Sequence, residues 1–296
     1  MLMLDLNSQL GNQMFQYAAV RTFAEQRGLG FCYRLGGNSA KKGHPSLSRY
    51  FQLGGDSLVR LSAMRLAWAC RPKRWKNIFI PRREHYAASH ALEVYDPSFF
   101  ETEDWTNVSG GFQSAAYFAE NRKRVIDWFT PGQQYLEVLN SMEDELPAPP
   151  SQRCCIHVRR TSYALADKGL AFGGQGWILP MSYYREALKH LPGGLFYVIV
   201  SDDPDFCESA FSQLSDKYIS RGNSSVVDMF LLARCKYNII ANSSFSWWGA
   251  WCNQVSGRVV MAPKYHIGWT KRMWLPSGIE APFPGWHYLD VLETLS

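Results

Sequence analysis

Residues 195–200 read "LFYVIV" and residues 238–241 read "NIIA", two short runs with almost no polar position in alternation. A strand with one wet face alternates apolar and polar residues. An unbroken apolar run belongs instead to a strand buried on both faces, as in parallel sheets flanked by helices. The surrounding pattern agrees: strand 154–159, helix 181–190, strand 195–201, helix 204–214, helix 226–235, strand 237–241, helix 245–254 and strand 257–262. Strands alternating with helices predict an α/β unit with a mostly parallel sheet, whose ligands bind beyond the carboxyl ends of the strands.

The amino-terminal half opens in the same style. "MLMLDL" is a short apolar strand, "NSQLGNQ" a glycine-containing turn, "MFQYAAVRTFAEQRG" a helix with Gly28 at its end, and "LGFCYRL" a second strand. From about 40 to 110 the pattern weakens, and "NVSGGFQSAAYFAENRKRVIDWFTP" then reads as a strand end, a turn and a helix closed by Pro131. Three prolines in "LPAPPSQR", residues 146–153, interrupt both helix and central strand, which sets the expected division between domains 1–148 and 151–296.

Composition limits the function classes. The chain has 296 residues, 46% hydrophobic and 19% charged, an ordinary core-forming composition for two medium domains. A net charge of +5 is too weak and scattered for a nucleic-acid surface. Its one basic cluster, "CRPKRWKNIFIPRREH", makes segment 71–85 a place for peripheral contact with an anionic membrane, or simply a solvated face. The seven cysteines show neither CxxC nor zinc-ligand spacing and several lie in apolar runs, so they read as reduced core residues. Asp5 within the first apolar stretch and the lack of a basic leader argue for a cytoplasmic protein, peripheral at the inner membrane if the basic segment engages lipid. No P-loop, dinucleotide-binding GxGxxG, GxSxG or HExxH motif is present.

Four stretches carry the candidate chemistry. His157, Arg159 and Arg160 end the strand beginning at Cys154, where a ligand crevice is expected. Planar guanidinium forks suit a phosphate or carboxylate; the alternative is that both arginines pair with acidic residues elsewhere in the chain, and His157 alone suits a core position. Asn242, Ser243, Ser244 and Phe245 follow the strand "YNIIA" and open a helix, an anion site through backbone N–H groups or an ordinary cap. "SDDPDF" contains Asp203-x-Asp205, a possible metal pair, but Pro204 makes it helix-capping grammar; a role for Asp202 or Asp203 toward a ribose or base fits better than a metal. In "LGNQMFQY", Gly11 permits close backbone approach, and Asn12 and Gln13 either contact a ligand or cap the helix.

Together these stretches resemble the α-1,2-fucosyltransferases of glycosyltransferase family 11, over most of the chain. "LGNQMFQYA" matches the family's opening signature; His157, Arg159, Arg160 and Tyr163 match its His-x-Arg-Arg-Gly-Asp-Tyr motif; "CKYNIIANSSFSWWGAWC" matches its late signature. "GGFQSAAYF", "PMSYYREAL" and "FYVIVSDDPDF" are weaker matches. The resemblance implies a GT-B-like fold of two Rossmann-like domains: an amino-terminal acceptor-side domain and a carboxyl-terminal domain binding GDP-fucose without a metal. It implies inverting transfer of L-fucose to the 2-hydroxyl of a galactose-containing oligosaccharide. Arg159 takes the donor diphosphate, and Ser243, Ser244 and Phe245 are donor contacts. Two departures stand out: the family's Gly-Gly before Leu-Gly is Ser8-Gln9, and its Gly-Asp after the arginines is Thr161-Ser162. Serine is no base near neutral pH, so either another carboxylate such as Asp167 deprotonates the acceptor or the transition state is dissociative enough to need none. A fucosyltransferase of another linkage and a non-catalytic GDP-sugar-binding protein are the alternatives.

Overall fold

The computed structural model describes residues 2–53, 84–86, 95–104, 106–166, 177–266, 268–272 and 283–295. Its contacts divide the chain into two units, Met1–Gly132 and Gln133–Ser296. Each unit is built on a parallel sheet.

In unit 1, β1 (Leu2–Leu6) alternates buried and half-buried residues and leads into α1 (Leu10–Gln26). That helix is buried from Leu10 almost throughout to Ala24, since it carries Met14, Phe15, Tyr17, Val20 and Phe23 around most of its circumference. It begins within the expected glycine turn, with the Gln13 amide donating to the Gln9 carbonyl at 3.0 Å, and closes where Gly28 takes φ 63°. After β2 (Phe31–Leu35) and the short α2 (Gly37–Lys41) come β3 (Glu84–Tyr86), β4 (Thr106–Ser109) and α3 (Arg122–Trp128). The sheet order is β2-β1-β4-β3, so the chain leaves β1 toward one side and returns on the other.

Unit 2 begins earlier than the proline-rich segment suggested, because α4 (Gln133–Glu145) is tied to it by charge. Arg153 is only 3% exposed, and its guanidinium must be compensated. Glu143 supplies this, accepting from Arg153 Nη1 at 3.3 Å and from Arg234 Nη1 at 2.8 Å. Arg153 also donates to the Ala148 carbonyl, which binds residues 146–153 into the unit as a strap.

β5 (Arg153–Val158) is buried at every position and pairs with β6 (Phe196–Ser201) on one side and β8 (Tyr237–Ile239) on the other, Ile156 standing level with Ile199 and Ile239. With β7 (Lys217–Ile219), β9 (Val259–Pro263) and β10 (Trp286–Leu289), the sheet runs β10-β9-β8-β5-β6-β7. The helices are α5 (Thr161–Ala166), α6 (Met181–Lys189), α7 (Pro204–Ala210), α8 (Ser225–Ala233) and α9 (Ser244–Trp251). Gly249 lets α9 lie directly on α8: a Cβ there would stand 2.7 Å from the Met229 carbonyl and 2.9 Å from Leu232 Cβ. Cys32, Cys154, Cys155, Cys207, Cys235 and Cys252 are buried free thiols, and burial holds those of Cys154 and Cys155 well above the ordinary thiol range. Among the described residues no helix is long and apolar enough to cross a membrane.

Candidate functional site

From β5 the chain proceeds through β6 to β7 on one side, then crosses back to β8 on the other. The carboxyl ends of β5 and β8 therefore diverge, and that is where an open α/β sheet forms its ligand crevice. The β5 exit carries Arg159 and Arg160, and the β8 exit carries Asn242, Ser243 and the start of α9. Seven of the sequence candidates thus converge with His157 in one part of unit 2: Arg159, Arg160, Asp202, Asn242, Ser243, Ser244 and Phe245.

Both arginines have carboxylate partners, supplied by the β6 exit. Asp202 accepts from the Arg160 backbone amide at 2.8 Å and lies 3.3 Å from Arg159 Nη1. Arg160 has a second carboxylate and an aromatic partner: its Nε donates to Asp203 Oδ2 at 3.1 Å while its guanidinium stacks 3.5 Å from the centroid of Phe206. Arg159 keeps 21% of its side chain exposed, so an external anion approaching it would share the guanidinium with Asp202. The other half of the suspected metal pair points elsewhere. Asp203 caps α7 through the Phe206 amide, and Asp205 binds Arg221 at 2.6 Å. Among the described residues no three His, Cys, Asp or Glu side chains form a group able to hold a metal ion.

His157 is 3% exposed, and burial, with Arg159 adding repulsion, pushes its pKa down to about 3. It is therefore a neutral imidazole at physiological pH, with no proton to give as an acid. Its ring lies 5.0 Å from that of Phe245, at the start of α9, tilted by 35°. At that start Ser243 Oγ accepts from the Phe245 amide at 3.3 Å, and Ser246 Oγ donates to the Ala241 carbonyl at 3.1 Å. Asn242 Nδ2 donates to the backbone carbonyls of Trp177 at 2.8 Å and His266 at 3.3 Å, while its buried Oδ1 meets no hydrogen-bond donor among the described residues. The nitrogen end of this amide holds loops together. Asp167 and residues 71–83 of the basic segment lie outside the described residues.

Asn12 and Gln13 belong to unit 1, at the corresponding divergence of β1 and β4. Gln13 is fully buried; its Nε2 donates to the Ser8 and Pro45 carbonyls and ties those loops, while its Oε1 meets no hydrogen-bond donor among the described residues. Asn12 Nδ2 donates to Ser8 Oγ at 2.9 Å and its Oδ1 accepts from Gln113 Nε2 at 3.2 Å. Ser8 and Phe112 flank this pair with φ of 70° and 53°, left-handed conformations that favour glycine. The resemblance to the family's opening signature expects glycine at Ser8, and its left-handed backbone angle is one that glycine adopts freely. Gln113 received no role from the sequence because nothing local marks a glutamine in a turn as the partner of a residue in a distant helix.

Two parallel α/β units, the second with an arginine and a capped helix start where its strand order reverses, are the architecture of the GT-B class of glycosyltransferase. Solved structures of that class resemble the chain: fucosyltransferase NodZ from Bradyrhizobium at 14% identity and TM-score 0.53, covering 84% of this chain and 92% of that one, and POFUT1 in complex with GDP at 10% identity and TM-score 0.55, covering 88% and 97%. At these identities the likeness concerns the fold alone. The chain belongs to glycosyl transferase family 11, whose profile matches residues 71–288. Among curated relatives, the O-antigen biosynthesis glycosyltransferase WbnK of Escherichia coli is 30% identical over 161 residues, 52% of each chain. An alpha-1,2-colitosyltransferase of Escherichia coli is 32% identical over 161 residues, 52% of this chain and 53% of the relative. The match spans about half the length of these relatives.

Proposed function

We propose that the protein is an inverting fucosyltransferase that moves L-fucose from GDP-β-L-fucose to the 2-hydroxyl of a galactose-containing oligosaccharide, forming an α-1,2 linkage. The observation that carries this reading is the convergence of Arg159 with the amino-terminal end of α9 where β5 and β8 diverge. In the reaction the bond from the anomeric carbon to the β-phosphate oxygen breaks, GDP leaves with the electron pair, and the acceptor oxygen bonds to the opposite face of that carbon. Negative charge grows on GDP as the bond breaks, and a guanidinium with a helix dipole stabilises that growing charge. Arg159, Ser243, Ser244 and Phe245 are the donor contacts in this reading, Asp202 holds Arg159, and unit 1 serves the acceptor. Arg160 and His157 act as the braced floor of the same crevice. Acceptor deprotonation falls to Asp167, unless the transition state is dissociative enough that solvent suffices.

On this reading Arg159 and the start of α9, in place of a metal, meet the diphosphate charge; Asp203 and Asp205 are each engaged by an arginine. Support for the linkage comes from the relative named an alpha-1,2-colitosyltransferase, and for the donor from the neighbours NodZ, solved after soaking with GDP-fucose, and POFUT1, solved with GDP. The same relative favours a second reading, in which colitose is the sugar transferred.

The test is product formation by mass spectrometry from the purified chain, β-galactosides and either GDP-fucose or GDP-colitose, with a chelator present, followed by NMR of the linkage. A fucosylated product with an α-1,2 bond is expected. Another linkage, or turnover with colitose alone, would replace the first reading. Tight GDP binding with neither transfer nor donor hydrolysis would favour a non-catalytic GDP-sugar-binding protein.

A further inference from the structure

Three side chains from separate segments close a ring of contacts beside Arg159. The Tyr163 hydroxyl, on α5, donates to the backbone carbonyl of Asn242 at 2.8 Å. Asn242 Nδ2 donates in turn to the Trp177 carbonyl at 2.8 Å. The indole of Trp177 meets the Tyr163 ring edge-on at 5.3 Å and 79°. The Arg159 guanidinium lies 5.8 Å from the centroid of that same tyrosine ring, and residue 243, the cap of α9, directly follows Asn242.

This ring spans the β5/β8 divergence. The two strands pair only as far as Ile156 and Ile239, and beyond that point the ladder no longer sets the distance between their exits. A diphosphate held by both exits needs that distance fixed, since misplacement by about 1 Å is enough to lose most of the benefit of a positioned charge. Asn242 is 2% exposed, so its carbonyl would be left a buried acceptor without its tyrosine donor. The edge-on aromatic pair and the hydrogen bond constrain Tyr163 in different directions, which makes the ring a rigid spacer.

We infer that Tyr163, Asn242 and Trp177 form a brace that holds Arg159 and the start of α9 at the separation a nucleoside diphosphate requires, with Tyr163 as the principal positioning residue. This rests on the donor reading above, in that GDP is the ligand whose phosphates bridge the two exits. The brace acts through Arg159, so its effect on ligand binding is coupled to that of Arg159.

The test is a double-mutant cycle on GDP affinity, measured by calorimetry on the full chain with Arg159→Ala, Tyr163→Phe and the two combined. Tyr163→Phe keeps the ring and removes the hydrogen bond. We expect each single change to weaken GDP binding and the pair to weaken it at least about fivefold less than the product of the two single losses. General loosening of the fold would not create that coupling, and thermal unfolding of each variant checks that it is folded. Should Tyr163→Phe not fold, Trp177→Phe takes its place in the cycle with the same expectation. Independent, multiplicative losses would overturn the brace and leave the donor reading intact. Failure of the unaltered chain to bind GDP would overturn the donor reading and the brace with it.

Discussion

The two strand-order reversals of this chain share a topology and differ in chemistry. In each unit the strand sequence reverses beside a central strand, at β1/β4 in unit 1 and β5/β8 in unit 2, and polar residues gather at the strand ends. Unit 1 lines its divergence largely with amides and hydroxyls: Asn12, Gln113 and the Ser8 hydroxyl joined in one chain, with the Ser8 amide donating to Ser39 Oγ at 2.7 Å, beside an Asp5–Arg34 ion pair whose carboxylate also accepts from Asn107 of β4 at 3.3 Å. Unit 2 fills its divergence with Arg159, Arg160, Asp202 and Asp203. Amide networks hold their shape across wide ranges of salt and pH. An arginine that shares its charge with a carboxylate is instead ready to exchange part of that partnership for an incoming anion. Topology alone says where a ligand binds, and the side chains placed there say which kind.

The largest expected effect breaks the charged crevice. Arg159→Ala should cost about 2–4 kcal/mol of transition-state stabilisation in fucose transfer, read as kcat/KM, and near-normal turnover would remove Arg159 from the donor site. Next comes acid. His157 and His266 are buried with pKa values pushed down to about 3 and about 4, below the ordinary 6.5 of an unfolded chain. Between pH 6.5 and about 4 the unfolded chain therefore binds protons that the folded chain refuses, and stability falls as pH falls. The slope is about 1.4 kcal/mol per pH unit for each histidine. Urea unfolding at pH 7 and pH 5 should show this loss in unit 2, and His266→Gln should remove about half of the slope; an unchanged slope would show that His266 titrates normally.

Smaller effects sharpen the contrast between the units. Gly249→Ala should destabilise unit 2 by about 1–3 kcal/mol, because the new methyl meets the Met229 carbonyl and Leu232. A thermal midpoint equal to that of the unaltered chain would show that α8 and α9 can separate freely. In unit 1, Gln113→Ala should cost about 1 kcal/mol through the lost bond to Asn12. The smallest change expected is Ser8→Gly, below about 1 kcal/mol, as relief of the left-handed serine offsets the lost acceptor for Asn12. A large loss there would mean that the hydroxyl, and not the backbone angle, dominates at that position.

Much of unit 2 was legible because its strands are buried on both faces and bounded by turns. β6 and β9 fall within a residue or two of the expected spans, and α7 ends at Ala210, short of 214, where the chain turns toward β7. β7, three half-buried residues long, and β10 carry too little periodicity to be read locally. The division of the chain was placed at the prolines, whereas contacts place it before α4, since proline reports local backbone geometry and not the reach of the Glu143 side chain to Arg153 and Arg234.

By itself the sequence determined the α/β class, the family signatures, and the two strand exits where Arg159 and Ser243 stand, because burial pattern, caps and motif spacing are properties of neighbours along the chain. Only the tertiary structure decided which groups those residues face. Asp202 and Asp203 reach the arginines from another strand, Asn242 turns its amide to Trp177 and His266, and Tyr163 closes the ring beside Arg159. Such pairings span tens of residues of chain, and hydrogen bonds and ion pairs depend on distances of a few tenths of an ångström that packing alone sets.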